Sequence, residues 1–295
     1  TPLVIQYNIL SNKWGAVHFE WRFNFFLIGG FSLAWKSLFC YNPVKRCFVL
    51  TGQSRTRRRE RMNGTASELI VMLTYQDKTV PNAKNIFECS KESRARFWGF
   101  KEAGLPLSEM AALTRCMKQA GKTVFLEVVS YTEQEGLKGA QAAAFCGCDV
   151  VMGTMFSEKI ADFCKENGLR YMPFVGDVRE RPSVLYGSVD EMIKQAQAAL
   201  EYGVDGFDLL GYRYVGNAAV LNETFVREVR APVCLAGGIN SFERLAQVKR
   251  TSPWTFTIGS AFFEHRFGDS FREQIDAVCA FLAGESDVPE GRSGA

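Results

Sequence analysis

The chain has 295 residues, with 35 Lys and Arg against 32 Asp and Glu, which gives a net charge of +3. This length, with 47% hydrophobic and 23% charged residues, is typical of one large folded domain or two medium ones; it excludes a disordered chain, a collagen-like chain and a polytopic membrane protein. The charge is unevenly spread, because residues 1–61 contain ten basic and two acidic side chains (+8) whereas residues 62–295 carry −5. The two segments therefore require separate interpretation.

Residues 1–61 form a basic, aromatic-rich extension. They include seven Phe, three Trp and two Tyr but no Asp. Their longest apolar stretch, residues 25–35, is shorter than the ~20 residues that a membrane-spanning helix needs. No helical or strand periodicity persists along the segment. We therefore expect the extension to be poorly structured and not to cross a membrane.

The extension ends in the run RRRER at residues 57–61, immediately before Met62. One interpretation is a basic arm that binds nucleic acid or an anionic membrane surface. Another is a mis-assigned start, because a purine-rich ribosome-binding sequence read in frame gives Arg, Glu and Gly codons just before Met. The abrupt change of composition at Met62 favours the second interpretation. The acidic residues 62–295 offer no basic surplus to nucleic acid.

From Leu69 onward, short apolar runs alternate with longer amphipathic stretches, the pattern of repeated βα units. The predicted strands are residues 69–76, 97–101, 123–130, 150–154, 171–176, 206–212, 233–236 and 255–258. The predicted helices are residues 83–93, 108–120, 133–146, 157–167, 189–202, 218–229, 241–251 and 270–283. Ser188, just before the acidic residues Asp190 and Glu191, is the expected N-cap of the fifth helix.

Eight βα units predict an α/β fold, a (β/α)8 TIM barrel, over residues 62–283. A doubly wound open sheet is the competing layout, but that fold carries a Gly-rich loop after its first strand. Here the first strand runs into TYQDK at residues 74–78, which contains no glycine, and the glycine motifs follow the seventh and eighth strands. This placement favours the barrel. The polar residues 284–295 are expected to form a disordered tail.

Two glycine motifs are expected to bind phosphate at the carboxyl ends of neighbouring strands. Gly237 and Gly238 follow the seventh strand, and Gly259 and Ser260 follow the eighth. Glycine lets backbone N–H groups approach an oxyanion closely, and a following helical turn adds the positive end of its dipole. TIM barrels place their active sites at this face and frequently bind phosphate with these two loops.

The motifs AGGI at residues 236–239 and IGSA at residues 258–261 resemble those of the ribulose-phosphate-binding, aldolase-type TIM barrel superfamily, over residues 69–263. The resemblance implies an enzyme acting on a phosphorylated sugar or sugar acid, as the aldolases, decarboxylases, epimerases and synthases of that superfamily do. The chain departs from two of its patterns. The sixth strand has no lysine to form an aldolase Schiff base, and the third strand lacks the decarboxylase pattern Asp-x-Lys-x-x-Asp.

A weaker second likeness is to the barrel of quinolinate phosphoribosyltransferase. It rests on FLEVV at residues 125–129, a following helix of small residues, and CDVVM at residues 148–152. This likeness implies a phosphoribosyltransferase-like enzyme as an alternative. Against it, that family places its barrel behind a separate substrate domain, which residues 1–61 do not resemble.

Lys101, Glu127 and Asp77, at or near strand ends, are the candidate catalytic residues. Strand alternation directs Glu127 into the barrel, because its apolar neighbours Leu126 and Val128 should face the helices. A buried carboxylate needs a partner, and Lys101 on the adjacent strand is expected to provide it. The pair is either a structural ion pair or a catalytic one, with Lys101 as Schiff-base nucleophile or proton donor and Glu127 as general acid/base.

Three further residues are candidate substrate ligands. Arg213, at the end of the sixth strand, can bind a carboxylate or a second phosphate bidentately, or form a salt bridge at the rim. Asp177 follows the fifth strand and, with Asp77 or Glu127, is a candidate ligand of Mg²⁺. Thr154 either donates a hydrogen bond to substrate or packs at its strand end. Mg²⁺ is the one cofactor that these residues suggest, and we assign no metal site.

The two histidines, His18 and His265, argue against His-based triads and multi-His metal sites. Nine cysteines without a Cys-x-x-Cys motif indicate free thiols in a reducing cytoplasm. The sequence predicts a cytoplasmic lyase or isomerase acting on a small phosphorylated substrate. The alternatives are a phosphoribosyltransferase-like enzyme and a non-catalytic barrel that senses a phosphorylated metabolite. No nucleic-acid or membrane partner is expected, and a homo-oligomer is left open.

Overall fold

The computed structural model describes residues 7–11, 17–21 and 66–285. The chain separates into two compact units, Thr1–Arg58 and Arg59–Ala295. In the first unit, the strands Tyr7–Ser11 and Val17–Trp21 pair antiparallel. The poor structure predicted for the rest of the extension, the boundary at Met62 and the tail beyond residue 285 lie outside the described residues.

Eight parallel strands form the barrel of the second unit. In chain order they are β1 (Glu68–Met72), β2 (Phe97–Lys101), β3 (Thr123–Val128), β4 (Val150–Gly153), β5 (Arg170–Met172), β6 (Phe207–Leu209), β7 (Val233–Leu235) and β8 (Thr255–Ile258). Strands that are consecutive in the chain pair with each other, except β5 and β6, and β8 pairs with β1. A parallel bridge between Phe174 and Asp208 joins the β5 side to β6. The predicted (β/α)8 fold is thus confirmed.

Helices connect the strands and cover the outside of the barrel. They are α1 (Ala83–Ser90), α2 (Leu107–Gln119), α3 (Glu133–Cys146), α4 (Glu158–Glu166), α5 (Val189–Glu201), α6 (Ala218–Glu228), α7 (Phe242–Thr251), the short α8 (Ser260–Phe263) and α9 (Phe271–Ala283). Ser188 caps α5 as predicted: its hydroxyl accepts from the Glu191 N–H, and the Glu191 carboxylate accepts from the Ser188 N–H. Within the part of the chain that the structure describes, none of the helices is long and apolar enough to cross a membrane.

The strands are buried on both faces, as parallel strands between helices and a barrel interior must be. On β3, Val124, Leu126 and Val128 pack outward in the main core, whereas Phe125 packs inside the barrel. The other members of the interior cluster are Ile70, Met72, Val150, Met152, Met172 and Cys234. Glu127 continues the inward series of β3 one step above Phe125, so the inward orientation predicted for it is correct.

Several strands end earlier than predicted, and for β1 and β6 the reason is a sharp turn of the chain at the mouth of the barrel. After Met72, residues Thr74–Tyr75 pair with Lys78–Thr79 in a tight hairpin. Its two central residues, Gln76 and Asp77, have φ of 49° and 64°, as a two-residue hairpin turn requires. After β6, residues Gly211–Arg213 form a turn of 3₁₀-helix.

The loop after β5 forms a second hairpin that the sequence did not predict. Asp177–Arg179 pairs antiparallel with Val184–Tyr186. Tyr131, in the loop after β3, donates its hydroxyl to the carbonyl of Glu180 (2.6 Å) and lies within hydrogen-bond distance of the Ser183 hydroxyl (2.8 Å). These contacts hold the hairpin beside the mouth of the barrel.

Candidate active site

A cleft of about 230 Å³ opens at the carboxyl ends of the strands. Its lining brings together most of the predicted site residues: Asp77, Lys101, Glu127, Arg213, Gly237, Gly238, Gly259 and Ser260. A second cavity, of about 390 Å³, lies at the start of α4 between Glu133 and Lys159, and it contains none of those residues. The barrel mouth is therefore the candidate active site.

Lys101 is the centre of an ion cluster on the floor of this cleft. It is the last residue of β2, directly opposite Glu127 on β3 in the strand register. Its ammonium group pairs with the Asp77 carboxylate and lies 3.5 Å from Glu127 Oε1. Lys101 and Glu127 are each only 8% exposed. The predicted partnership of these two residues is present in the structure.

The two carboxylates determine the charge state of Lys101. Burial by itself lowers the pKa of this ammonium, but the attraction of Glu127 and the hydrogen bond to Asp77 outweigh burial, so the pKa lies above its ordinary value. The positive charge of Arg213 acts in the opposite direction and is the weakest of these effects. Lys101 is consequently a charged ammonium at neutral pH.

The hairpin after β1 places Asp77 over Lys101. The buried hydroxyl of Thr79 donates to the carbonyl of Lys101 (2.8 Å) and accepts from the N–H of Lys101 (2.9 Å). These two hydrogen bonds fasten the hairpin to the end of β2. Asp77 reaches the ammonium group because its own backbone occupies the left-handed turn position.

Asp208, on β6, is a buried carboxyl group that the sequence analysis did not single out. Its exposure is 0%. Burial first, and then the negative charge of Glu127, raise the pKa of Asp208 well above its ordinary value, while Lys101 lowers it. The signal in the sequence was an acidic residue flanked by Phe207 and Leu209, at an inward position of a predicted strand.

The glycine loops form the opposite wall of the cleft. Gly237 has φ +77°, and a Cβ there would lie 2.7 Å from Arg213 Nε. Gly238 has φ +70°. Gly259 precedes α8, and a Cβ there would lie 2.6 Å from Thr74 Oγ1 and 3.0 Å from the Thr74 carbonyl. The close packing of Gly237 against Arg213 and of Gly259 against Thr74 therefore depends on the absence of side chains at these two positions.

Two arginines support the loop after β7. Arg213 donates from Nη1 to the Ser183 carbonyl (3.3 Å), which links the 3₁₀ turn to the hairpin after β5. Arg244, on α7, donates to the Gly238 carbonyl (3.2 Å), and its guanidinium lies 4.4 Å from the centre of the Tyr212 ring. Arg213 lines the cleft, whereas Arg244 is not among the lining residues and contacts the loop through the Gly238 carbonyl.

The structure places Thr154 and Asp177 away from the lining of the cleft. Thr154 is fully buried, and its hydroxyl lies 2.7 Å from the hydroxyl of Tyr171. Asp177 forms an ion pair with its neighbour Arg179 on the hairpin after β5. Neither residue is brought together with Lys101 and Glu127.

Residues 66–285 contain no group of three or more His, Cys, Asp or Glu side chains arranged to hold a metal ion. The carboxylates considered for Mg²⁺ have cationic partners instead, Lys101 for Asp77 and Arg179 for Asp177. The cysteines in this region are free thiols. Burial raises the pKa of Cys146 to about 11 and that of Cys148 to about 12, so neither is a thiolate at neutral pH.

Comparisons with known proteins identify the fold. No protein-family model matches the chain, and no curated protein sequence matches it either. Among solved structures, orotidine 5'-phosphate decarboxylase from Pyrococcus horikoshii OT3 superimposes with a TM-score of 0.56 at 13% identity, over 73% of this chain and 99% of that one. N-(5'-phosphoribosyl)anthranilate isomerase from Pyrococcus furiosus gives 0.51 at 14% identity, over 72% and 98%.

A third similar structure is N-acetylmannosamine-6-phosphate 2-epimerase from Clostridium perfringens, with a TM-score of 0.50 at 15% identity, over 66% of this chain and 87% of that one. At such identities the similarity establishes the fold alone. The chain has the TIM-barrel fold of these three structures, and the resemblance seen in the sequence is confirmed as far as the fold.

Proposed function

We propose that this protein is an enzyme that binds a phosphorylated sugar or sugar acid and catalyses a lyase- or isomerase-type reaction on it. One observation carries the proposal: the Lys101 ion cluster and the glycine loops line the same cleft. A phosphate bound by Gly237, Gly238, Gly259 and Ser260 leaves the carbon chain of a small substrate facing Lys101 and Glu127. The groups that bind the anion and the groups that transfer protons are then within reach of the same ligand.

The charge state of Lys101 favours proton transfer over imine formation. A protonated amine is not a nucleophile, whereas an ammonium group on the floor of a partly buried cleft stabilises a developing oxyanion. Glu127 faces the same space and is the general base of the proposal. Asp77 keeps Lys101 protonated and oriented. Arg213, at the rim beside the glycine loops, is the proposed ligand of a second anionic group.

The similar structures support the substrate class. By their names, orotidine 5'-phosphate decarboxylase and N-acetylmannosamine-6-phosphate 2-epimerase act on phosphorylated compounds, and this chain shares their fold. The reactions in those names differ from each other, so they do not select the reaction of this protein. The choice of lyase or isomerase chemistry rests on Lys101 and Glu127.

Calorimetry with inorganic phosphate and a turnover screen of phosphosugars test the proposal. Lys101→Met is expected to abolish turnover of any compound that the wild type converts, and to leave the affinity for inorganic phosphate unchanged. Lys118→Met is the matched control, because Lys118 pairs with Asp149 on the outside of the barrel. Unchanged turnover in Lys101→Met would remove Lys101 from the mechanism. Failure of the wild type to bind phosphate would contradict the proposal itself.

Borohydride trapping separates the two roles left open for Lys101. A protonated Lys101 is expected to give no stable adduct when the protein is incubated with phosphorylated keto acids and borohydride. An adduct on Lys101, detected by mass spectrometry, would assign imine chemistry instead. Turnover of phosphoribosyl pyrophosphate would indicate the phosphoribosyltransferase alternative, and phosphate-dependent ligand binding without turnover would indicate the sensing alternative.

A further inference from the structure

Asp208 lies inside the barrel with no group to neutralise it by hydrogen bonding. Its neighbours Phe207 and Leu209 pack outward in the main core, so Asp208 points inward, and its register partner on β7 is Cys234 of the interior cluster. Among the residues that the structure describes, neither carboxyl oxygen of Asp208 has a hydrogen-bond partner. Such a group is rare in a folded protein and calls for an explanation.

Three titratable groups interact electrostatically with Asp208 in the barrel: Glu127 of β3, Lys101 of β2 and its register partner Cys234 of β7. The ammonium of Lys101 is already shared by Asp77 and Glu127. A third carboxylate without hydrogen bonds would therefore be a buried charge with little compensation, which is costly. A neutral carboxylic acid avoids this cost, since the like charge of Glu127 and complete burial both favour the protonated form.

We propose that Asp208 and Glu127 form a carboxyl pair that carries a single negative charge beneath the cleft, with the proton held on Asp208, and that this charge balance directs the site to substrates with an acidic C–H bond next to a carbonyl group. The proposal rests on the proposed function for its substrate. It adds which chemical group of the substrate reacts. It also makes Asp208 a positioning residue, which acts through its effect on Glu127 and Lys101.

The charge balance explains why a neutral Asp208 suits this reaction. Glu127 takes a proton from the substrate carbon, the electron pair of the C–H bond forms the C=C bond of an enolate, and the π pair of the adjacent carbonyl moves onto its oxygen. The negative charge thus passes from Glu127 to that oxygen, where Lys101 stabilises it, and the net charge of the site is unchanged. When the proton on Glu127 has exchanged with solvent, its return to the same carbon completes a hydrogen exchange. Its delivery to the former carbonyl carbon, with transfer of the neighbouring hydroxyl proton to the enolate oxygen, completes an isomerisation. An ionised Asp208 would repel the new oxyanion.

The protonation of Asp208 can be tested without a substrate, from the pH dependence of unfolding. In the folded protein the pKa of Asp208 is raised above its unfolded value of ~4. The stability that this group contributes is complete below pH ~4 and is lost as pH rises toward the folded pKa. Asp208→Asn lacks this linkage. The ratio of the wild-type to the variant unfolding constant is therefore expected to rise about tenfold per pH unit in that range.

Thr255→Val is the matched control for Asp208→Asn. Thr255 is also fully buried, and its hydroxyl has no hydrogen-bond partner among the described residues, but it does not titrate. Its unfolding curves should parallel those of the wild type at every pH. If Asp208→Asn also parallels the wild type, Asp208 is ionised in the folded protein and the proposal is overturned.

Glu127→Gln tests the pair, and it remains informative if Asp208→Asn does not fold. Removing the charge of Glu127 lowers the pKa of Asp208, so the loss of stability with rising pH should stop at a lower pH than in the wild type. An unchanged range would mean that burial alone protonates Asp208 and that the two carboxyl groups are not coupled. That result would contradict the pair.

The substrate class is tested by proton NMR of dihydroxyacetone phosphate in D₂O, which reports exchange at the carbon next to the carbonyl. The wild type is expected to catalyse exchange, with a rate that falls as pH rises through the raised pKa of Asp208. Asp208→Asn should retain exchange and lack this decline. Identical pH profiles would remove Asp208 from the chemistry. If the wild type binds phosphate but catalyses no exchange, the substrate class is refuted. If it does not bind phosphate, the proposed function is refuted, and the unfolding experiments alone then decide whether Asp208 and Glu127 form a pair.

Discussion

Gly237 shows how one residue's backbone conformation shapes the cleft. Its φ of +77° is a conformation that L-residues with side chains adopt only at a cost of ~1–2 kcal/mol. The side chain of Arg213 also occupies the space where a Cβ would lie, with Nε 2.7 Å and Cδ 3.0 Å away. Because Arg213 is packed this closely, a methyl group at position 237 must displace either the loop or the guanidinium.

Gly237→Ala is therefore expected to weaken phosphate binding and to lower stability. Gly121→Ala is its matched control, since Gly121 has φ +72° and a Cβ there meets nothing within 4 Å. Both variants should lose ~1–2 kcal/mol of unfolding free energy from backbone strain. Only Gly237→Ala should also lower the affinity for phosphate, by about tenfold or more, as measured by calorimetry. Equal affinities in the two variants would show that the loop after β7 does not bind the anion.

At the scale of an element, the hairpin after β1 is the part that assembles the ion cluster. A two-residue turn brings Asp77 back over the barrel, and the two hydrogen bonds of Thr79 to the backbone of Lys101 hold the hairpin there. Thr79 is 2% exposed, so water does not replace these bonds readily. The orientation of Asp77 therefore depends on Thr79, a residue that is not among those lining the cleft.

Thr79→Val, a substitution of similar shape, tests this dependence. It leaves the buried N–H and carbonyl of Lys101 without their partner, which should cost ~1–3 kcal/mol of unfolding free energy in denaturant titrations. Thr79→Ser keeps the hydroxyl and should retain most of the stability. Loosening of Asp77 should also lower the pKa of Lys101, followed by NMR of the ammonium. A Val variant as stable as the Ser variant would show that the hydroxyl does not hold the hairpin.

At the scale of the whole molecule, the two compact units Thr1–Arg58 and Arg59–Ala295 divide the charge of the chain. The described residues that line the cleft all belong to the second unit. That unit contains an interior cluster, a nearly closed ring of strands and covering helices, as an independently stable domain requires.

A protein beginning at Met62 is therefore expected to unfold at the same temperature as the full chain and to bind inorganic phosphate with the same affinity. Differential scanning calorimetry and isothermal titration measure these two quantities. The full chain alone should show any salt-dependent retention on heparin, because the truncated protein carries −5. Loss of phosphate binding on truncation would give the basic extension a role in the site.

Much of the fold was predictable because local patterns repeat along the chain. Alternation of apolar runs and amphipathic stretches marked every barrel strand, and Ser188 with Glu191 marked the start of α5. The boundaries were less predictable where the chain turns at the mouth. Thr74 and Tyr75 have strand-forming side chains, but they pair with Lys78 and Thr79 instead of extending β1, and Gln76 and Asp77 form the left-handed turn between them.

By itself the sequence determined the eight-fold repeat, the inward direction of Glu127 and the glycine loops after the last two strands, since all of these follow from periodicity and residue type within short segments. Only the tertiary structure decided which of the candidates share a cleft. It joined Asp77, Lys101 and Glu127 in the cleft and left Thr154 and Asp177 outside, and it revealed the fully buried carboxyl group of Asp208 inside the barrel. The reason is physical: the charge state of a carboxyl group depends on burial and on neighbours that are distant in the chain, and closure of the barrel brings those neighbours together.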